Sequence, residues 1–425
     1  MAQLCLAHEK AITELVNRNK IVNMKYSVKL ITVAILAFFA IQVEAKKKSE
    51  KITVAAYYFP NYHTDDARNN KNKGQGWAEW ELVKAAKPRF ERHQQPKVPA
   101  WGYTDEKDPK VMAQKIKAAV DNGIDAFIFD WYYYDDGPFL NRCLDEGFLK
   151  AKNTNKIKFS LMWANHDWEE IHPWTHGTGR PLLYPGKVTP ETYDKICDHV
   201  IKNYFTKPNY WLIDGRAYFS IYDVSKFIAN FGSLEATRTA MLKMDEKARK
   251  AGLKGVHWNI VTWGNPILPA EKMPTLSFRE LIQKLSFASA TSYVWIHHAY
   301  PGQANVEYND TRDKYFEFWG QAKAEYPVPY YPNVTMGWDS SPRTNQSMDW
   351  KPFYGYPYTG ILLNNTPENF RIALQRTKEK LLSDPNGPRI ININCWNEWT
   401  EGSYLEPDKV NGMKYLEAVK AIYKK

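Results

Sequence analysis

Two glutamates near the end of the chain, Glu398 and Glu401, are spaced three residues apart and lie beside Trp396 and Trp399. They follow the apolar run 389–395, which is typical of a buried strand. A carboxyl group beside an indole ring is partly shielded from water, which raises its pKa towards the range where it can hold and release a proton at neutral pH. Indole rings can also stack on the apolar faces of sugar rings. The pattern therefore indicates acid–base chemistry on a carbohydrate.

The alternative interpretation of Glu398 and Glu401 is structural. Two carboxylates at the start of a helix are common, because the helix dipole favours negative charge there. The preceding strand and the density of aromatic residues, 15% of the whole chain, favour a functional site instead.

The elements that must position these glutamates alternate between strand-like and helix-like segments. The predicted strands are 52–59, 124–131, 158–164, 217–222, 256–263, 288–295, 333–338 and 389–396. The predicted helices are 108–123, 190–205, 234–251, 310–326, 366–382 and 413–423. This alternation favours an α/β fold with a parallel sheet, and eight units indicate a (β/α)8 TIM barrel with insertions in the βα loops. A doubly wound open sheet is the second choice, because no Gly-rich phosphate turn follows the first strand.

In a barrel of this kind the chemistry collects at the C-terminal ends of the strands. The candidate substrate-binding residues lie near those ends or on the loop 74–80. They are Tyr58, Glu79, Trp80, Asp130, Trp131, Trp163, Asn165, Trp338, Asp339 and Asn397. For Glu79 two roles are open: a contact to a sugar hydroxyl, or support of a neighbouring side chain.

Other chemistries have weaker support in the sequence. His166, His297 and His298 lack the spacing of a strong zinc site, and the Gly-x-Ser-x-Gly pattern of serine hydrolases is absent. We therefore expect no metal and no cofactor. Cys143, Cys197 and Cys395 do not form a disulfide framework, although one disulfide among them is left open.

The chain has a formal net charge of +10, but no nucleic-acid-binding motif accompanies it and the lysines are spread along helical segments. We expect no nucleic-acid partner, whereas an acidic polysaccharide would suit the basic surface. The oligomeric state is not indicated.

The N-terminal region has the pattern of a secretion signal. Lys25 and Lys29 precede the apolar stretch 30–43, and a small-residue cleavage site ends at Ala45. We therefore expect a signal peptide at 24–45, starting at Met24, and a secreted or periplasmic protein with no stable membrane insertion after cleavage. An uncleaved anchor is the alternative. Residues 1–23 are interpreted as a spurious extension.

Several motifs together resemble the glycoside hydrolase family 99-like group, also called WbsX-like, which is related to endo-α-mannosidases. They are YYFPNYH at 57–63, GWAEW at 76–80, GIDAF at 123–127, WAN at 163–165, MGWD at 336–339 with PR at 342–343, and WNEWTEG at 396–402. The resemblance covers about 52–420 and implies one (β/α)8 catalytic domain over 46–425. Thr400 departs from the pattern, since endo-α-mannosidases tend to have His there.

The resemblance also implies a mechanism. In the family, hydrolysis retains the anomeric configuration: one glutamate deprotonates the sugar 2-hydroxyl, which attacks the anomeric carbon, and a second protonates the leaving oxygen. By motif position Glu398 is the base and Glu401 the acid. The expected function is thus a secreted, endo-acting, retaining glycoside hydrolase for a polysaccharide or oligosaccharide with α-mannosidic linkages. The alternatives are a WbsX-type glycosyltransferase of polysaccharide biosynthesis and a non-catalytic carbohydrate-binding barrel.

Overall fold

The computed structural model describes residues 51–424. The predictions for the segments 1–23 and 24–45, including the signal peptide, lie outside these residues. No helix within 51–424 is long and apolar enough to cross a membrane. In the same range Cys143, Cys197 and Cys395 are buried and free.

The sheet that forms the centre of the fold contains nine parallel strands in the part of the chain that is described. They are β1 (Thr53–Tyr58), β2 (Ala126–Tyr134), β3 (Lys158–Trp163), β4 (Arg216–Ile221), β5 (Val256–Val261), β6 (Ser289–Thr291), β7 (Tyr330–Tyr331), β8 (Asn333–Thr335) and β9 (Ile390–Asn394). Each of the eight predicted segments contains a strand; β8 lies in the predicted segment 333–338, whereas β7 precedes that segment and was not predicted.

The sheet is nearly closed on itself. Its strand order is β7-β6-β5-β4-β3-β2-β1-β9-β8, so the two ends of the order, β7 and β8, are neighbours in the sequence. Only Pro332 separates them, and proline has no backbone N–H to contribute to a ladder. The carbonyl of Pro332 still accepts a hydrogen bond from the backbone N of Asn392 at 3.0 Å. The predicted (β/α)8 barrel is therefore confirmed, and its seventh strand position is interrupted by Pro332.

Helices cover the outside of the barrel. Residues 51–424 contain α1 (Ala67–Lys73), α2 (Trp80–Ala85), α3 (Pro109–Asp121), α4 (Pro190–Val200), α5 (Val224–Ala229), α6 (Leu234–Lys250), α7 (Phe278–Leu285), α8 (Tyr308–Glu325), α9 (Pro367–Leu382) and α10 (Lys414–Tyr423). The six predicted helices correspond to α3, α4, α6, α8, α9 and α10. Between β2 and β3 the helix is reduced to the π-helical segment Cys143–Phe148.

The strands alternate between the barrel interior and the helices, as β-geometry requires. In β2, Phe127 and Phe129 pack on Phe148 outside the sheet, with ring centroids 6.2 and 5.1 Å apart. Asp130 and Tyr132 instead point to the inner side and line a cavity at the end of the barrel. This period of two decides which residues near a strand end reach the cavity.

A buried cation on α3 holds the segment that follows β9. The Lys115 ammonium is 1% exposed and lies 2.5 Å from Glu106 Oε1 and 2.6 Å from Glu406 Oε1. Glu406 in turn accepts hydrogen bonds from the indole N–H groups of Trp396 and Trp399, each at 2.9 Å. Lys115 therefore fixes the two tryptophans that bracket Glu398.

Glu106 extends the same cluster to β1. Its Oε1 accepts hydrogen bonds from Asn397 Nδ2 at 2.9 Å and from the Tyr58 hydroxyl at 3.0 Å. The cluster thus joins α3, β1 and the segment after β9 into one buried polar unit, which an unpaired charge would disrupt.

We predict that Lys115→Met destabilises the protein by about 3–5 kcal/mol, because it leaves two buried glutamates without their cation. Burial already raises the pKa of Glu406, and Lys115 opposes that rise. Without Lys115 the folded-state pKa lies further above the unfolded value, so stability falls as pH rises. The loss in the free energy of unfolding, measured by denaturant titration, should be smaller at pH 5 than at pH 8.

The matched control is Lys117→Met, two residues along the same helix, where the side chain is 73% exposed. This substitution should change stability by less than about 0.5 kcal/mol. Equal losses for the two variants, or a Lys115→Met loss that does not vary with pH, would contradict the assigned role of the cluster.

Candidate active site

A cavity opens at the C-terminal ends of the barrel strands. It contains about 730 Å³ of space, including the part open to solvent. Its lining residues are Phe59, Asp130, Tyr132, Met162, Ala164, His166, Asp167, Trp168, Glu169, Ile171, His172, Tyr222, Ile267, Leu268, Pro269, Tyr293, Val294, His297, Trp338, Arg343, Tyr356, Glu398 and Glu401. The cavity is therefore where a (β/α)8 fold would place chemistry.

The guanidinium of Arg343 joins three carboxylates at this end of the barrel. Its Nη1 lies 2.7 Å from Glu401 Oε1, its Nε donates to Glu79 Oε1 at 2.8 Å, and its Nη2 pairs with Glu398. The planar fork of an arginine suits such multiple contacts, which a single ammonium could not make in the same geometry. Tyr356 adds a hydroxyl that donates to Glu401 Oε1 at 2.7 Å.

Glu79 holds Arg343 in place from outside the cavity lining. It is completely buried and does not line the cavity. Its carboxylate accepts hydrogen bonds from Asn61 Nδ2 at 2.6 Å and Thr400 Oγ1 at 2.5 Å, as well as from Arg343. Of the two roles left open by the sequence, the structure shows the support of a neighbour. Thr400 contributes to it at the position where the resemblance leads one to expect His.

The two candidate catalytic glutamates are buried close to one another. Burial raises the pKa of Glu398 well above its ordinary value; Arg343 opposes the rise, whereas Glu401, Glu79 and Asp130 add to it. The pKa of Glu401 is also raised by burial, against the effects of Arg343 and the Tyr356 hydroxyl. Because several carboxyls share one guanidinium, the pair titrates as a unit and holds a proton more readily than isolated glutamates do.

Three carboxyl oxygens of the cavity lining have no protein partner in the described structure: Asp130 Oδ1, Glu169 Oε2 and Glu398 Oε2. Asp130 accepts a hydrogen bond from the Tyr293 hydroxyl on Oδ2 at 2.9 Å, but its Oδ1 accepts none. Glu398 Oε2 is likewise without a hydrogen bond. Burial raises the pKa of Asp130. These oxygens are placed to bind ligand hydroxyl groups.

Of the residues predicted from sequence, Glu398, Glu401, Asp130 and Trp338 line the cavity. Trp338 is fixed there by a hydrogen bond from its Nε1 to Thr359 Oγ1 at 2.8 Å. The other eight predicted residues lie outside the lining.

Trp131 and Trp163 are corrections to the prediction. Trp131 packs towards Tyr204, and Trp163 lies between Tyr193 and Phe227, with ring centroids 6.3, 6.2 and 6.0 Å apart. Both side chains point out of the barrel, because side chains alternate along a strand, and they contact the surrounding helices. The residues next to them in the sequence point into the barrel and line the cavity instead.

Tyr58, Asn165 and Asn397 make hydrogen bonds between neighbouring segments and lie outside the cavity lining. Asn165 exchanges side-chain hydrogen bonds with the backbone of Asp223, and Asn397 does so with the backbone of Phe59, at 2.7–2.8 Å. The Tyr58 hydroxyl is used by Glu106. The two asparagines satisfy backbone groups that the sheet ladder leaves unpaired.

Trp80 and Asp339 hold loops in place. The Trp80 ring lies 4.2 Å from that of Tyr62 and 5.8 Å from that of Trp399. Asp339 accepts hydrogen bonds from His93 Nε2 at 2.8 Å and Gln95 Nε2 at 2.7 Å. Burial alone would raise the pKa of Asp339, but these contacts lower it to about 2, so it anchors the loop 93–95 as a carboxylate.

The sequence analysis missed several lining residues, above all Arg343, Tyr356 and Tyr132. Tyr132 could have been found, since it lies two positions beyond Asp130 and so shares its face. Arg343 was noted only within a motif. Nothing in the local sequence around Tyr356 signals its contact with Glu401, because a long loop brings it there. Among the described residues, no group of three or more His, Cys, Asp or Glu side chains is arranged to hold a metal ion.

The solved structures that resemble this fold are carbohydrate-acting proteins. A protein titled "Glycoside hydrolase-like protein" superposes with a TM-score of 0.56 at 14% identity, over 88% of this chain and 94% of that chain. A GH99 endo-alpha-mannosidase from Bacteroides thetaiotaomicron, in complex with bis-tris-propane, gives a TM-score of 0.50 at 14% identity, over 87% and 96%. At this identity they show a common fold alone, the (β/α)8 barrel.

Sequence comparison identifies the family. Two relatives, each described as "Uncharacterized protein WxcX" from Xanthomonas campestris pv. campestris, are 26% identical over 403 and 374 residues, 91% and 87% of this chain. The chain spans about half the length of these relatives, 52% and 49%. A family model described as "Glycosyltransferase WbsX" matches residues 54–419, nearly the whole barrel. The chain therefore belongs to the WbsX family.

Proposed function

We propose that this protein is a retaining, endo-acting glycoside hydrolase that cleaves a polysaccharide or glycan with Glu398 and Glu401. The observation that carries the proposal is the pair of buried carboxyls on one guanidinium, facing a cavity with unpartnered carboxyl oxygens. Endo action and an α-mannosidic linkage are supported by the similarity to the GH99 endo-alpha-mannosidase. Secretion is part of the proposal, based on the signal-like segment 24–45.

The short separation of the carboxyls favours retention. Glu398 and Glu401 contact adjacent nitrogens of the Arg343 fork, so their Oε1 atoms are close together. Inverting enzymes need a wider separation, about 6.5–9.5 Å, to admit a water molecule between carboxylate and sugar.

The free oxygens suit the two proposed roles. Glu398 Oε2 has no partner and can accept the proton of a sugar 2-hydroxyl as that oxygen attacks the anomeric carbon. Arg343 and Tyr356 both contact Glu401 on Oε1, which leaves Oε2 to carry a proton to the leaving oxygen. One proton held by the pair also reduces the repulsion between the carboxyls around Arg343.

Glu401→Gln should lower the hydrolysis of unactivated glycans by about 10²–10⁴-fold, since the leaving oxygen loses its proton donor. The same variant should retain much of its activity on an aryl glycoside with an acidic leaving group, which departs without protonation. Glu398→Gln should lose both activities, because both substrates need the 2-hydroxyl activated. Product release from matched natural and aryl substrates measures the difference.

The control for these variants is Glu417→Gln, an exposed position on α10, which should behave as wild type. If the two patterns are exchanged, the acid and base roles are reversed. If both glutamine variants hydrolyse glycans as wild type does, the proposed hydrolase is refuted.

We predict that Arg343→Lys lowers kcat and shifts the acidic limb of the pH profile of kcat/KM to higher pH. Arg343 lowers the pKa of Glu398 and Glu401 against the effect of burial, and one ammonium cannot pair with both as well as with Glu79. The carboxyl that must be ionised would then lose its proton only at higher pH. Arg371→Lys, an exposed pair with Glu368, serves as control. A profile that is unchanged in Arg343→Lys would contradict this account.

The description of the family model favours a second candidate, a glycosyltransferase. A nucleotide-sugar donor would bring a diphosphate, which proteins bind with free cations or a helix N-terminus. Among the described lining residues Arg343 is the one arginine or lysine, and three carboxylates already use it. Calorimetry with common nucleotide sugars should therefore detect no binding; saturable binding in the cavity would favour the transferase. A non-catalytic binding barrel would need no paired carboxyls.

A further inference from the structure

The cavity has two walls of different character. The Arg343 cluster lies after β9 and β8, and the facing part of the barrel mouth is formed by residues after β3, β5 and β6. That facing wall carries polar residues such as His166, Asp167 and Glu169, and it also contains a set of aliphatic side chains, here called the aliphatic wall. The aliphatic side chains are Met162, Ala164, Ile267, Leu268, Pro269 and Val294. A sugar whose anomeric carbon lies at Glu398 and Glu401 would turn another part of its ring, or a substituent, towards this wall.

The segment 267–269 of this aliphatic wall is held in a fixed shape. The buried carboxylate of Glu271 accepts hydrogen bonds from the backbone N of Ile267 at 2.6 Å and of Leu268 at 2.9 Å. It also accepts a hydrogen bond from the hydroxyl of Tyr222 at 2.6 Å. Ile267 is buried and Leu268 half-buried, so the segment presents apolar side chains to the cavity as a built feature.

Most of the polar atoms beside the aliphatic wall already have partners. The hydroxyl of Tyr222 donates a hydrogen bond to Glu271, and that of Tyr293 donates one to Asp130. Among the lining residues after β3 and β6, His297 Nδ1 and Glu169 Oε2 have no partner in the described structure. Burial lowers the pKa of His297 to about 3, so the ring is neutral, with one donor and one acceptor nitrogen.

The cavity is also unsuited to an acidic sugar. Arg343 is engaged by Glu79, Glu398 and Glu401, and burial lowers the pKa of His166 to about 4, so that histidine is neutral as well. A uronate carboxylate in the cavity would add another buried charge without a cation. The expectation of an acidic polysaccharide, based on net charge alone, is therefore not favoured for the sugar at the reacting position.

We infer that the sugar bound in the cavity carries a methyl-bearing substituent, either the C6 methyl of a 6-deoxyhexose or the methyl of an acetyl group, which packs on the aliphatic wall. The inference rests on the proposed function, because it places the anomeric carbon at Glu398 and Glu401. A methyl group gains from burial against Ile267 and Leu268. A hydroxymethyl group packed on the same aliphatic side chains would lose water without gaining hydrogen-bond partners from them.

Binding to matched sugar pairs tests the inference. The full chain carrying Glu398→Gln, which cannot turn over, would be titrated by calorimetry with methyl α-glycosides. The 6-deoxy pairs are L-fucose with L-galactose, L-rhamnose with L-mannose and D-rhamnose with D-mannose. The acetyl pairs are N-acetylglucosamine with N-formylglucosamine and N-acetylmannosamine with N-formylmannosamine, so that both members of a pair carry a neutral amide. In one of the two sets of pairs, the methyl-bearing sugar should bind roughly tenfold to a hundredfold more tightly than its partner without the methyl group.

The two sets distinguish the two sources of the methyl group. If the sugar without the methyl group binds as tightly as its methyl-bearing partner in every pair, or if no sugar of the panel binds, the inference is overturned. Leu268→Asn should abolish the preference, because an amide supplies partners for a hydroxyl group. Leu242→Asn, at an exposed leucine of α6, should leave it unchanged. A preference that survives Leu268→Asn, Ile267→Asn and Met162→Gln would also overturn it.

Failure of this inference can be separated from failure of the proposed function. A methyl preference without glutamate-dependent cleavage would refute the hydrolase and keep the assigned sugar class. Glutamate-dependent cleavage of a fully hydroxylated glycan, with no methyl preference, would refute the sugar class alone.

Discussion

The shared guanidinium of Arg343 is the interaction on which the candidate site depends. Three carboxylates, those of Glu79, Glu398 and Glu401, are buried around one positive charge. Removing carboxylates from water costs several kcal/mol each, a cost that only close pairing and further hydrogen bonds can offset. Because the balance still leaves excess negative charge, protons are held more tightly there than on exposed glutamates. The structural arrangement that permits burial thus also prepares the acid–base chemistry.

A second buried cation fixes the same chain segment from the opposite side. Residues 396–406 direct Glu398 and Glu401 towards Arg343, while Trp396, Trp399 and Glu406 lie towards Lys115. Each cation serves more than one carboxylate, so a displacement of the segment would weaken both clusters together. Catalytic groups must keep their geometry within a fraction of an ångström, and support from two sides supplies such rigidity. The tryptophans noted in the sequence therefore act here through their N–H groups, as positioning residues.

The fold could be predicted from sequence because buried parallel strands are continuous apolar runs, which local inspection finds. The division of the seventh strand follows from Pro332, which was not interpreted. The site was less predictable. Trp131 and Trp163 were chosen because they lie near strand ends, but side chains alternate along a strand and both point outwards. Arg343 and Tyr356 reach Glu401 from 58 and 45 residues away, through loops whose course the sequence pattern does not specify.

The charge of the cavity bears on the choice between hydrolysis and transfer. Asp130, Glu398 and Glu401 face the space, and the pKa of each is raised by burial, so added negative charge from a ligand would be costly. A diphosphate leaving group carries such charge, whereas a neutral glycan brings hydroxyl groups that suit Asp130 Oδ1 and Glu398 Oε2. The leaving oxygen of a glycan needs a proton, which a buried glutamate can supply; a diphosphate leaves without one. The site is thus better matched to a neutral glycan, whose leaving oxygen accepts a proton, than to an anionic nucleotide-sugar donor.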